Sequence, residues 1–419
     1  MSTLLLDRPV VAGRIIRNGR ASALIVICLF AARWLAGIVE HGWAPGISEY
    51  AALLAIGCLI VLFLVHLQIS QDATLLLAGL VAMLFAAQLS FAANPMPEPA
   101  KAQTLMALLC FYLLAAHACF LHLATPVSLP ALRWFFLAFV GAGALLALVQ
   151  MQAGFGFVDP ARAHLVRAVG SDVHPVSFAI QLVIAGTGLV VVHLRSRRRV
   201  GPLAWLVLGL GVLALYLTFA RTAWAMAGMI VLYAALVRGR VWHRAVGFAA
   251  LLAGIALATT SERFADLGSL PFFFQSFDIH NIVFDHRYVD NSVSWRIVNW
   301  GYGLTQALEF PWLGIGPGQS ASASSFGREM HNIFLEIFLE GGIVGLVAFC
   351  LALGGLVRLH RRLPRRSKGA KTARDLVNGL GFALLAAAVF STSLIEQLMS
   401  VLLYFLVLAA ASVPEKENS

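Results

Sequence analysis

Charged residues are scarce in this sequence. Only 12% of its 419 residues are Asp, Glu, Lys or Arg, whereas 60% are hydrophobic. Soluble domains carry about a quarter charged residues, so the composition argues against a soluble protein and indicates a chain surrounded mainly by lipid. The apolar runs are continuous and do not alternate, which argues against a transmembrane β-barrel and leaves helices. The sequence therefore predicts an all-α integral membrane protein.

Cysteine motifs and nucleotide-binding loops are also lacking. The five cysteines lie in apolar segments and form no CxxC pair, so we interpret them as small core residues. No GxxxxGK[ST] string occurs, which argues against a P-loop nucleotide site. The net charge is +10, but the basic residues fall between the apolar segments, where they indicate topology and contact with anionic lipid rather than nucleic acid.

The apolar segments predict a polytopic protein that forms one transmembrane domain over residues 1–419. A helix that crosses a bilayer core of about 30 Å needs about 20 apolar residues, and about twelve segments meet this condition. The predicted spans are 21–39, 50–67, 73–92, 103–121, 131–150, 175–193, 203–219, 222–237, 244–260, 331–357, 375–394 and 396–411.

Basic residues distinguish the two membrane faces. With the N-terminus in the cytoplasm, most of the 30 Lys and Arg residues fall on the cytoplasmic side, as the positive-inside rule requires. We therefore expect both termini in the cytoplasm. Two long loops are then periplasmic: residues 151–174 and, between the ninth and tenth helices, residues 261–330.

The apolar stretch 203–237 has basic clusters at both ends and is too long for one crossing, since a single helix of this length would reach about 52 Å. It therefore predicts a helical hairpin with its tip at residues 218–222 on the outer face. Arg221 at this tip is costly unless it is paired, hydrated or bound to an anion. A solvated, snorkelling arginine explains the same residue without a function.

Both outer loops contain candidate functional residues. The first has charged and imidazole side chains at Asp159, Arg162, His164, Arg167, Asp172 and His174. The second is aromatic and contains a predicted helix that Ser292 or Ser294 caps and that stops at Phe310-Pro311, before a glycine-rich turn. The next span carries Asn332, Glu336 and Glu340 on one face, and carboxylates within a membrane segment indicate a function by default.

Two strings of the second loop and a third that opens the next span, together with the hairpin tip, resemble the signature of the O-antigen ligase and polymerase superfamily. The strings are Ser294-Trp295-Arg296-x3-Trp300, Pro311-x2-Gly314-x-Gly316 and His331-Asn332-x2-Leu335-x4-Glu340-x-Gly342-x2-Gly345, and the tip reads Phe219-Ala220-Arg221-Thr222. The segment Arg167-x2-Gly170 followed by Pro175 also fits. The resemblance implies a GT-C-like fold in the bacterial inner membrane.

The resemblance also implies an activity in lipopolysaccharide or polysaccharide biosynthesis. The donor would be a glycan on undecaprenyl pyrophosphate, and transfer would occur at the periplasmic face without a metal, nucleotide sugar or other cofactor. The acceptor would be a lipid A core sugar in a ligase, a second lipid-linked glycan in a polymerase, or a protein hydroxyl in the related O-oligosaccharyltransferases. Ligase and polymerase stay open as alternatives.

Residue chemistry suggests roles within this activity. Arg221 and Arg296, with Arg167 as a weaker third, have the planar donors that match a pyrophosphate leaving group. His331 is the candidate general base, which predicts inversion at the anomeric carbon. Asn332, Glu336, Glu340 and Trp300 are candidate substrate-binding residues. Each assignment has an alternative without a catalytic role. His331 could cap a helix, Arg296 could be a solvated loop charge, and the two glutamates could brace the helix.

Other interpretations stay open. His280 and His286, with carboxylates nearby, could bind a divalent metal, although their spacing does not by itself justify a metal site. A polar rim around an acceptor groove explains the same residues. A transporter or flippase would show similar halves and ionisable residues near the membrane centre. Here the halves differ and the polar residues cluster at the outer face, which favours an outer-face enzyme over a transporter. An inactive homologue is also compatible with the sequence.

Overall fold

The structure, a computed structural model, is that of a helical bundle. It describes residues 21–36, 47–65, 70–71, 73–94, 97–159, 162–172, 174–196, 200–237, 245, 248–249, 252, 294–324, 326–390 and 397–414. The first helices are α1 (Ala21–Ala36), α2 (Ile47–Val65), α3 (Thr74–Ala93), α4 (Pro99–Ala118, continued by a π-helical turn Cys119–Leu123) and α5 (Leu129–Ala153). They are followed by α6 (Pro175–Arg195), α7 (Pro202–Leu217) and α8 (Arg221–Val237). The later helices are α9 (Ser294–Glu309), the short α10 (Ser320–Ala323), α11 (Ile333–Arg362), α12 (Lys368–Phe390) and α13 (Leu398–Ser412).

Within the described residues, six helices are long and apolar enough to cross a membrane: α3, α4 with its π-helical turn, α5, α6, α11 and α12. The helices α1, α7, α8 and α13 are apolar but shorter. The predicted all-α membrane class is thereby confirmed. The predicted span 244–260 lies almost wholly outside the described residues, as does the stretch 261–293 of the long loop, so the count of about twelve spans stays a prediction.

The loop after α5 contains a small antiparallel sheet that the sequence analysis did not predict. Strand β1 (Phe157–Asp159) pairs with β2 (Arg162–Arg167), with Phe157 opposite Arg167. The buried side chain of Gln150 organises the chain beyond β2, since its Oε1 accepts from the N–H of Gly170 at 2.8 Å and its Nε2 donates to the Gly170 carbonyl at 2.9 Å. The sheet and this turn bring the end of β2 against the helical bundle.

Helix α11 is interrupted by the glycine-rich turn that precedes it in the chain. At Gly342 the backbone has φ 62° and ψ −160°, a conformation that essentially only glycine adopts. The N–H of Ile343 then donates to the Pro311 carbonyl at 2.8 Å, and the N–H of Gly316 donates to the Glu340 carbonyl at 3.1 Å. The break therefore replaces hydrogen bonds within α11 with bonds to the turn, and it fixes that turn against the start of α11.

Substitution of Gly342 by alanine is expected to lower the thermal stability of the detergent-solubilised protein sharply. A Cβ there would lie 2.3 Å from the Trp312 backbone carbon, in addition to the strain at this φ, so we expect a loss of about 2 kcal/mol or more. The measurement is the apparent unfolding temperature. The control is Gly341→Ala, because nothing lies within 4 Å of a Cβ at that position. Equal unfolding temperatures for the two variants would contradict the argument.

Candidate functional site

The first part of the site is Arg167 at the end of β2. Its side chain is buried, with 3% exposure, and its Nε donates to the Thr218 carbonyl at 2.8 Å. The next residue repeats the connection, because the N–H of Ala168 donates to the Leu217 carbonyl at 3.0 Å. These two bonds attach the end of the small sheet to the C-terminal end of α7.

The second part is the tip of the α7–α8 hairpin, which lies where the sequence predicts it. Phe219 has φ 49°, a left-handed conformation that is uncommon for a non-glycine residue and is often found at functional sites. The rings of Tyr216 and Trp224 stack across the hairpin with centroids 5.7 Å apart, and the indole N–H of Trp224 donates to the Leu215 carbonyl. This closed tip places Arg221 at the first turn of α8.

The third part is His331, which α9 holds in position through the segment before it. The indole N–H of Trp300 donates to the Met330 carbonyl at 2.7 Å, and Asn299 Nδ2 donates to the Glu329 carbonyl at 3.0 Å. His331 itself has φ 55° and, with Phe219, is one of two non-glycine residues with positive φ in the described part of the chain. Both strained positions therefore belong to the site.

Trp295 connects the cationic groups around His331. Its ring meets the His331 imidazole edge to face, with centroids 4.9 Å apart. The guanidinium carbons of Arg296 and Arg328 each lie 5.4 Å from the centroid of the same ring, within the range of a cation–π interaction. Neither Trp295 nor Arg328 has a role predicted from the sequence, where the only available signal was an aromatic residue next to a candidate arginine.

The electrostatic contacts join the three parts into one site. Burial, and then the charge of Arg221, lower the pKa of both Arg167 and Arg296 to about 10, so both stay charged at neutral pH. Arg221 therefore lies close enough to influence both other arginines. The structure thus brings together three of the arginines that the sequence predicts, from chain segments far apart. We call Arg167, Arg221, Arg296 and His331 the arginine site.

His331 is neutral in this environment. Burial lowers its pKa to about 4, the charges of Arg296 and Arg328 act in the same direction, and a hydrogen bond with the Glu329 backbone opposes them. A neutral imidazole has a nitrogen that can accept a proton. Within the described part of the chain, His331 Nδ1, Arg296 Nε and Arg167 Nη2 are buried without a hydrogen-bond partner. Buried donors normally have partners, so the site is suited to an anionic ligand with several oxygen atoms.

His174 lies at the edge of this site. Its Nδ1 accepts from the N–H of Val176 at the start of α6, and Asp172 accepts from the His174 N–H and from Gln181 Nε2. Burial and the charge of Arg167 lower the pKa of His174, whereas Asp172 raises it. His174 had no specific role among the residues predicted from the sequence. The side chains of Asp159, Arg162 and His164 lie outside the described part of the chain.

The predicted substrate-binding residues of α9 and α11 make contacts within the protein. Asn332 caps α11, because its Oδ1 accepts from the N–H groups of Phe334 and Leu335 at 3.1 Å. The Glu340 carboxylate accepts from the N–H of Ser320 at 3.1 Å. Glu336 and Glu340 are both buried, and both face Ser320. These contacts favour the bracing role for the glutamates, which would hold the segment after the glycine-rich turn.

The predicted metal cluster around His280 and His286 lies outside the described residues. Among the residues that are described, no group of three His, Cys, Asp or Glu side chains could hold a metal ion. The five cysteines are free, and Cys119 is buried.

Replacement of Trp295 by leucine is expected to lower the turnover number of the protein about tenfold. Leucine retains apolar packing but removes the ring that orients His331 and two guanidinium groups, and cation–π contacts of this kind contribute about 1 kcal/mol each. The measurement is the steady-state rate of the reaction proposed below. The control is Trp312→Leu, since Trp312 is 70% exposed. A Trp295 variant as active as the Trp312 variant would remove the positioning role.

Comparison with known proteins agrees with this geometry. Residues 204–350 match the family model described as O-antigen ligase, and no curated protein matches the chain. The matched segment begins in α7 and ends in α11, so it contains Arg221, Arg296 and His331, whereas Arg167 lies before it. Over these residues the chain is therefore similar to the O-antigen ligase family.

Proposed function

We propose that this protein is a membrane glycosyltransferase that moves a glycan from undecaprenyl pyrophosphate to a sugar hydroxyl, with a lipid A core sugar as acceptor. The observation that carries the proposal is a cluster in which Arg221 acts on both Arg167 and Arg296, and Arg296 in turn acts on the neutral His331. An apolar lipid donor with a polyanionic headgroup requires both features, a membrane domain and a cationic pocket.

The arginines act on the leaving group. As the glycosidic bond breaks, the pyrophosphate departs as an anion, and Arg167, Arg221 and Arg296 stabilise the negative charge that develops on it. Donors that are fixed in place before the reaction need no reorganisation, and each is worth about 3 kcal/mol in comparable sites. Within the arginine site, Arg167 Nη2 and Arg296 Nε are buried donors without hydrogen-bond partners among the described residues, so they are the groups assigned to the phosphate oxygens.

His331 acts on the acceptor. The acceptor hydroxyl loses a proton as its oxygen attacks the anomeric carbon from the face opposite the pyrophosphate, and the neutral imidazole of His331 takes that proton. A single displacement of this kind inverts the configuration at the anomeric carbon. No metal, nucleotide or other cofactor takes part in these steps.

Binding of the glycan donor also changes the basicity of His331. In the unliganded site, burial and the arginine charges hold the pKa of His331 at about 4, which makes the imidazole a weak base. A bound pyrophosphate carries negative charge into the same site and opposes Arg296, so the pKa of His331 rises towards its usual value. His331 therefore becomes an effective base when the donor is in place.

The polymerase reaction is the alternative, because the same four residues serve it. Only the acceptor differs, a second lipid-linked glycan replacing the lipid A core. In either case the arginine site faces the periplasm from the bacterial inner membrane, and both termini are cytoplasmic, as the distribution of basic residues supports.

The experiment is a transfer assay with the purified protein in chelator. The donor is an undecaprenyl-pyrophosphate glycan, and the reaction is run with and without lipid A core. Transfer to the core that is lost in His331→Ala, Arg221→Ala and Arg296→Ala supports the ligase, whereas longer lipid-linked chains formed without core support the polymerase. No product from any glycan donor, or full activity in all three variants, would overturn the proposed site. Movement of the donor across vesicles without bond cleavage would instead indicate a flippase.

A further inference from the structure

A second polar cluster lies at the far end of α11 from the arginine site. A cavity of about 340 Å³ lies there between α8, α11, α12 and α13. We call it the basic-end cavity, because α11 ends at Arg362 beside it and α12 begins at Lys368. Along the 30 residues of α11 its distance from the arginine site is about 40 Å. The two clusters therefore belong to opposite membrane faces.

The wall of the basic-end cavity contains an ordered hydrogen-bonded chain. His360 lies between Asn378 and Tyr404, with Nδ1 2.8 Å from Asn378 Oδ1 and Nε2 2.6 Å from Tyr404 Oη. When the tyrosine O–H donates to Nε2, the Nδ1–H donates to Asn378 Oδ1. In this arrangement the two amide N–H donors of Asn378 are not used by His360 and can bind another acceptor. Gly381 provides the space, since a Cβ there would lie 2.9 Å from His360 Cε1.

The charge of the same wall is positive. Arg361 and Arg374 are among its lining residues, and no lining residue in the described part of the chain is acidic. The Nε of Arg374 is buried and has no hydrogen-bond partner among the described residues. Two guanidinium groups and an amide with donors to spare form a wall that suits a phosphate group.

The apolar side of the cavity continues into the bundle. A second cavity of about 170 Å³ shares Leu353, Leu356, Gly381, Leu385 and Tyr404 with it and extends towards Ile333. Three of the apolar residues at the rim are exposed on the outside of the bundle: Val357 at 49%, Phe382 at 57% and Leu385 at 40%. The cavity thus opens sideways between α11 and α12, where lipid surrounds the protein.

We propose that the basic-end cavity binds an anionic phospholipid from the leaflet at that face, with its phosphate on Arg361, Arg374 and Asn378. One acyl chain enters the apolar cavity between α11 and α12. The pyrophosphate of the glycan donor is excluded as the occupant, because its phosphates belong to the arginine site at the other membrane face. A zwitterionic lipid would lack an acidic partner for its cationic group among the lining residues.

The test is native mass spectrometry of the full-length protein, titrated with phosphatidylglycerol or phosphatidylcholine of the same acyl chains. We expect phosphatidylglycerol to bind at least ten times more tightly than phosphatidylcholine. The double variant Arg361→Gln/Arg374→Gln should lose about tenfold in affinity for phosphatidylglycerol, since two cationic contacts are removed. The control Arg366→Gln/Lys368→Gln removes the same charge outside the cavity and should stay within twofold of wild type.

Two further variants keep the result interpretable. Arg361→Lys/Arg374→Lys retains the charge and should retain the preference, even if the glutamine pair unfolds. Leu385→Trp fills the junction of the two cavities and should weaken the binding of both lipids. Equal losses in the cavity and control variants, or equal affinity of wild type for the two lipids, would overturn the proposal. Displacement of bound phosphatidylglycerol by undecaprenol, which has no phosphate, would assign the cavity to a prenyl chain instead.

Discussion

Alanine in place of His331 is expected to lower the rate of glycan transfer by about 10²- to 10⁴-fold, the usual contribution of a general base. Donor binding should change little, because the three arginines remain in place. The measurement is kcat and KM in the transfer assay, with the donor affinity determined separately. Glutamine at the same position tests the alternative of a capping residue, since it keeps hydrogen-bonding capacity but cannot accept the proton. An active His331→Gln variant would remove the base from the mechanism.

The same residue sets the expected pH dependence. The pKa of His331 is about 4 in the unliganded protein, lower than the ordinary imidazole value, so the neutral form persists as the pH falls from 7 to 5. In a plot of kcat/KM against pH, the acid limb, where kcat/KM falls as His331 becomes protonated, should therefore lie near pH 4. Arg328→Gln removes one of the charges that lower this pKa, so the acid limb should move to higher pH. Arg365→Gln, an exposed arginine near the basic end of the bundle, is the control and should leave the limb unchanged.

Replacement of Arg221 or Arg296 by glutamine is expected to lower the rate of transfer by about 10²- to 10³-fold in each case. Both guanidinium groups share one electrostatic environment, because Arg221 influences the pKa of Arg296. The double variant should therefore lose much less than the product of the two single effects. Lysine should restore only part of the rate, since it lacks the planar pair of donors.

A matched control for the arginine variants is Lys101→Gln. Lys101 is an exposed cation that pairs with Glu98 at the surface, and surface pairs of this kind contribute little. Its loss should leave the rate within twofold of wild type. Additive effects in the double variant, with each arginine acting alone, would show that the two side chains do not act on one leaving group.

Much of the helical architecture was predictable because it follows from local sequence. Apolar runs of about 20 residues predict spans, and the length of residues 203–237 requires a hairpin whose tip lies at Phe219 in the structure. The helix that starts at Ser294 was also predictable from a capping serine and apolar residues at helical spacing. In each case the pattern is contained within one continuous segment.

Other features depend on contacts that no local pattern encodes. The strands β1 and β2 are short, and the chain beyond them is held by the side chain of Gln150 in the preceding helix. The break at Gly342 depends on the turn at Pro311, some thirty residues earlier. Asn332 and Glu340 stay predicted substrate-binding residues, and the contacts that the structure adds are a helix cap by Asn332 and a bond from the Ser320 backbone to Glu340.

The sequence by itself determined the membrane class of this protein, the positions of its apolar helices, and the resemblance to a superfamily signature that contains Arg221, Arg296 and His331. Only the tertiary structure decided that Arg167, a weaker candidate from the sequence, lies close to Arg221, that Trp295 contacts His331, and that His331 is neutral. The physical reason is that hydrophobicity and helix capping act between residues close in the chain. Charge interactions and burial depend on distances in space, and these are set when the hairpin tip, the small sheet and α9 pack together.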